Sequence, residues 1–137
     1  MITAVDTNIL FDILVPNIQF FERSAQYLEE ASNVGAVVIC DFVYSELCIH
    51  FATQRQCDDF LDHNEINVES LRKEALFLAG RVWKTYRQQG GKRTRILADF
   101  LIGAHAQVQA TRLLSRDRGF YRGLFPSLQL LDPTLVN

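Results

Sequence analysis

Cysteine is scarce in this chain of 137 residues, and what there is does not pair: Cys40, Cys48 and Cys57 are odd in number and show no Cys-x-x-Cys spacing. That argues against a disulfide framework and a structural zinc centre, and predicts reduced, mostly buried thiols in a cytoplasmic protein. No apolar run approaches the length of a membrane span, and Met1 to Val5 lead to Asp6 without a basic segment or an apolar leader. Secretion and membrane insertion are therefore not expected. An excess of basic charge is also missing. The formal net charge is -2, which by itself argues against a nucleic-acid partner, because phosphate binding rests on Lys and Arg. Repeats, linkers and low-complexity segments are lacking as well, so residues 1–137 are expected to form one domain. With 48% hydrophobic residues it can build a core without staples.

What is present is a set of four carboxylates, each interrupting or ending an apolar stretch: Asp6 after Ala4-Val5, Glu46 before Leu47, Asp99 before Phe100-Leu101-Ile102, and Asp117 after Leu113-Leu114. Acids placed against apolar segments need a partner that offsets their desolvation, and acids that converge repel one another unless a cation lies between them. A metal site is the economical explanation. Setting these four of the 16 acids aside leaves 12 against 14 basic residues, so a metal-loaded protein can attract phosphate.

Apolar strands alternate with amphipathic helices along the chain. Strands are predicted at 2–5, 36–40, 65–68, 112–115 and 128–131, and helices at 20–31, from Asp41 through Phe51, at 56–62, from Leu71 to Tyr86 and at 98–109. Gly90-Gly91 ends the long helix and opens a basic loop, Lys92-Arg93-Thr94-Arg95, and Arg118-Gly119 marks a turn. Such alternation predicts a parallel sheet covered on both faces, with its crevice beyond the carboxyl ends of the strands. Asp6 and Asp117 follow strands, and Glu46 and Asp99 lie in helices that begin near the same edge.

Asp6-Thr7-Asn8-Ile9-Leu10, Glu46, Asp99-Phe100-Leu101-Ile102-Gly103-Ala104-His105-Ala106 and Ser115-Arg116-Asp117, in this order, resemble the PIN-domain nuclease family, in particular its small bacterial and archaeal toxin branch, VapC. The resemblance covers nearly the whole chain. It implies a three-layer α/β/α sandwich with a central, mostly parallel sheet, an acidic pocket for Mg²⁺ or Mn²⁺, RNA cleavage, homodimerisation and neutralisation by a cognate antitoxin. The chemistry agrees, since hard divalent cations take oxygen ligands and Mg²⁺ keeps several waters beside a few carboxylates. Asp6, Asp99 and Asp117 are the expected metal ligands, with Glu46 completing the set or orienting the attacking water. Asn8 and Ser115 are expected to orient these acids, by resemblance as much as by chemistry. Arg93, Arg95 and Arg116 flank the acids and are candidate RNA contacts.

Blander roles stand beside these. An aspartate after a strand is also a common helix cap, and a helical glutamate is often solvated. Asp12 is assigned to the surface, His105 to packing and His63 to the surface. His50 lies on the helix face of Glu46 but is not assigned as a ligand. Tyr44, Phe120 and Tyr121 are candidate stacking groups for bases, and Trp83 a core or interface residue. A non-catalytic RNA-binding or assembly module on the same fold is the main alternative, although the full acid set counts against it. A haloacid-dehalogenase-like phosphatase would need a second aspartate where this chain has Asn8.

Overall fold

Among the described residues, five short strands form one sheet in the order β3-β2-β1-β4-β5, and every neighbouring pair is parallel. They are β1 (Ile2–Val5), β2 (Ala36–Cys40), β3 (Ile66–Glu69), β4 (Arg112–Leu114) and β5 (Gln129–Leu131). The computed structural model describes residues 1–15, 19–91 and 97–135, and Lys92, Arg93 and Arg95 lie outside these described residues. The central strands are buried almost throughout, as Thr3 to Val5, Val37 to Cys40, Leu113 and Leu114 show. Burial on both faces is why they read as continuous apolar runs rather than as alternating ones.

The helices are α1 (Thr7–Leu14), α2 (Phe21–Val34), α3 (Asp41–Leu47), α4 (Gln54–His63), α5 (Lys73–Gln88), α6 (Leu97–Gln109) and α7 (Arg118–Leu124), with a 3-10 turn at Cys48–His50. From β1 the chain steps to β2 and β3, then returns past β1 to β4 and β5. Right-handed crossovers running in opposite directions along a sheet fall on opposite faces, which gives the expected sandwich. Helix α6 is the most deeply set, with Phe100 to Ala106 all buried, because it packs against β1, β4, α3 and α5.

Gly103 lets α6 lie close to the end of α7, since a Cβ there would stand 2.4 Å from the Phe125 ring. Gly103→Ala is expected to cost about 1–3 kcal/mol through overpacking, read as a lower denaturation midpoint. An unchanged midpoint would show that Phe125 swings away freely.

Two helices depart from the sequence reading. Residues 7–14 form α1, a helix that no apolar spacing marks in the sequence, and the turn expected at Arg118-Gly119 is the start of α7. Both are short. Helix α7 carries two glycines, so its propensity is poor and tertiary contacts sustain it. The helix from Asp41 also ends sooner than its apolar spacing suggests: Phe51 is extended, with φ -122° and ψ 142°, and packs its ring on Phe60. At the end of α5 the glycine signal holds. Gly90 takes φ 82°, and the Gly91 N–H returns to the Tyr86 carbonyl at 2.9 Å, closing the helix end.

Candidate active site

The strand order reverses between β1 and β4, and a crevice at such a switch point opens where the two outgoing chains part. Register pairs Val5 with Leu114, and the Asp6 N–H donates to the Leu114 carbonyl at 2.9 Å. The residues that follow, Asp6 on one side and Ser115 to Asp117 on the other, therefore start side by side.

Asp6 is 6% exposed and caps α1, accepting the Thr7 N–H on Oδ1 at 2.7 Å. Its Oδ2 accepts the Ser115 hydroxyl at 2.8 Å, the Tyr121 hydroxyl at 3.0 Å and the Asn8 amide at 3.4 Å. Thus the cap and the pocket acid are one residue. The Asp6 carboxyl is raised from its ordinary 3.8 to about 6: burial pushes it up, bonds from Ser115, Tyr121 and Thr7 hold part of that rise back, and the Asp99 charge adds to it.

Tyr121, 1% exposed, has its phenol pushed far up by burial and then by the charges of Asp6, Asp99 and Asp117. Two consequences follow. The phenol stays a donor to Asp6 throughout the working pH range, and three of the four acids from separate segments act on one hydroxyl. The fourth is tied in through Thr7, whose hydroxyl donates to Glu46 Oε1 at 2.8 Å. Asp117 opens α7, and its N–H donates to Ser115 Oγ at 2.9 Å. Glu46, Asp99 and Asp117 are half-buried, so burial falls from the nearly dry Asp6 to acids that meet solvent.

Among the described residues, no three His, Cys, Asp or Glu side chains stand close enough to cage a metal ion. One buried and three half-buried carboxylates, with the Asp99 charge acting on Asp6, are oxygen donors that suit a hydrated divalent cation reached partly through water rather than a closed site.

Other side chains occupy places the sequence did not indicate. Tyr121 is an internal donor to Asp6 rather than a base-stacking surface, and Phe120 stands edge-on between Phe100 and Tyr121. Tyr44 gives its hydroxyl to Asp58 at 2.8 Å. Asp12, assigned to the surface, is 3% exposed and receives Arg116, so that guanidinium is already engaged within the fold. His105 is buried as expected, with Nε2 2.9 Å from Glu69, and His50 lies against the Phe11 ring. Cys40 and Cys57 are buried and Cys48 is exposed. Thr7 and Tyr121 are the site residues that sequence reasoning missed as such. Thr7 sits inside the Asp6-Thr7-Asn8 motif and was visible there, whereas nothing local marks Tyr121.

No curated protein sequence matches this chain. Solved structures do resemble it in fold. VapBC2 from Rickettsia felis, bound to a DNA fragment from its promoter, superposes with a TM-score of 0.73 at 22% identity, covering 96% of this chain and 98% of that one. VapBC-1 from nontypeable Haemophilus influenzae gives 0.70 at 20% identity, over 98% and 100%. FitAcB from Neisseria gonorrhoeae gives 0.70 at 17% identity, over 99% and 100%. The sequence itself matches the PIN domain family over residues 3–123, nearly the full span from β1 to α7 and including all four acids, and the chain belongs to that family.

Proposed function

We propose that this protein is a divalent-metal-dependent endoribonuclease, the toxin of a toxin-antitoxin pair. The observation that supports the reading is the buried Asp6 carboxylate at the β1–β4 switch point, bonded to Ser115 and Tyr121, with Asp117 joined to it through Ser115 and Glu46 through Thr7, in a PIN-domain chain. Asp6, Asp99 and Asp117 would hold Mg²⁺ or Mn²⁺, in part through water, and Glu46 would complete the set or orient the attacking water. The chemistry such an ion would supply is a lower pKa for that water and screening of the charge that develops on the phosphate. Ser115, Tyr121 and Asn8 orient Asp6 so that its Oδ1 is the less occupied oxygen, and they keep that orientation before substrate arrives. The toxin role draws on the resemblance in fold to VapBC and FitAcB. A cognate antitoxin, a second copy of the chain and a cytoplasmic setting belong to the same proposal. No helix among the described residues is long and apolar enough to cross a membrane.

The test is cleavage of a mixed cellular RNA pool by purified protein in Mg²⁺, Mn²⁺ or EDTA, with the cut ends mapped. Metal-dependent cuts at defined positions are expected. RNA binding without cuts in any metal would replace this reading with a non-catalytic module.

A further inference from the structure

Arg116 separates Ser115 from Asp117 and grips two points one helical turn apart on α1. Its backbone N–H donates to Asn8 Oδ1 at 3.2 Å. Its guanidinium makes a two-pronged contact with Asp12, Nε to Oδ2 at 2.8 Å and Nη2 to Oδ1 at 3.0 Å. Residues four apart share a helix face, so backbone and side chain together set the angle at which this segment crosses α1. The contact also reaches α2: Ser24 donates to Asp12 Oδ2 at 2.7 Å, and the guanidinium lies 4.1 Å from the Phe20 ring centroid. The Asp12 side chain is 3% exposed and that of Arg116 25%.

We propose that the Arg116–Asp12 pair is a positioning device that aims Asp117 at the metal pocket, and that Arg116 acts on the reaction through Asp117 rather than by touching RNA. The proposal rests on the nuclease reading. A planar fork buried against a carboxylate holds one orientation, which a flexible lysine would not reproduce. The adjacent peptide then places Asp117 relative to Asp6, whose Oδ2 shares Ser115 Oγ with the Asp117 N–H.

Removing one partner alone strands a buried charge and threatens folding. The test therefore uses Arg116→Lys and the double change Asp12→Leu with Arg116→Met, which deletes both charges at once. Thermal melting, Mn²⁺ binding by calorimetry and the split of kcat from KM on an RNA substrate are measured for each. The expected result is a folded protein with Mn²⁺ affinity weakened about tenfold, kcat lowered and KM for RNA unchanged. Wild-type Mn²⁺ affinity and kcat in both variants would overturn the proposal and leave a purely structural pair. A raised KM with a shallower salt dependence would overturn it in favour of direct RNA contact. Wild-type protein that neither binds Mn²⁺ nor cuts RNA would overturn the nuclease reading together with this one.

Discussion

Asp6→Asn and Asp99→Asn proteins are expected to leave RNA uncut under conditions in which the wild type cleaves it, a loss on the order of a thousandfold or more. Each substitution keeps the shape of the side chain and removes its charge. At Asp6 the amide keeps one of the two accepting oxygens, and the Ser115 and Tyr121 hydroxyls can turn to accept from its NH₂, so the fold should persist while the site loses its most buried negative charge. At Asp99 the change removes a charge that acts on both Asp6 and Tyr121. Glu46→Gln should cost less, about 10–100-fold, because Glu46 joins the cluster through Thr7 and retains that bond as an amide. Folded Asp6→Asn protein that cuts at the wild-type rate in a clean preparation would remove the acid cluster from the mechanism.

Freed of metal with a chelator, Asp6→Asn should also be more stable than the wild type at neutral pH, by up to about 3 kcal/mol. The sign follows from linkage. The folded-state pKa of Asp6 is raised from 3.8 to about 6, so the folded protein holds that proton more tightly than the unfolded chain does. The stabilisation from protonation is complete below pH 3.8 and is lost as pH rises through about 6, where ionised Asp6 opposes folding. The variant cannot ionise there. Its advantage should therefore be full at pH 7, shrink across this window and vanish below it. Added Mn²⁺ should raise the melting temperature of the wild type more than that of the variant, because the ion binds the folded state and relieves the same repulsion. A variant less stable than metal-free wild type at pH 7 would mean that the Asp6 charge is held by a fold-stabilising interaction instead.

Strands and long helices were legible in the sequence because their burial is regular. Val37 to Ile39 and Leu113-Leu114 read as apolar runs since both sheet faces are covered, and α5 shows its stripe and its glycine stop. The four acids were legible for the opposite reason: each breaks or ends such a run, where an acid is unusual. That Asp6 and Asp117 share Ser115 follows from topology, because strand ends that lie far apart in the chain become neighbours where the strand order reverses.

The partners that hold those acids were decided by the tertiary structure alone. Helix α7 has weak propensity, so no local signal brings Tyr121 beneath Asp6. Helix α1 is too short for its periodicity to show, and Asp12 looked like a surface residue until the fold supplied Arg116 from 104 positions away. Sequence patterning reports how each segment meets water and apolar neighbours. Which hydroxyl or guanidinium completes a buried carboxylate depends on distances across the fold, which no short stretch of chain encodes.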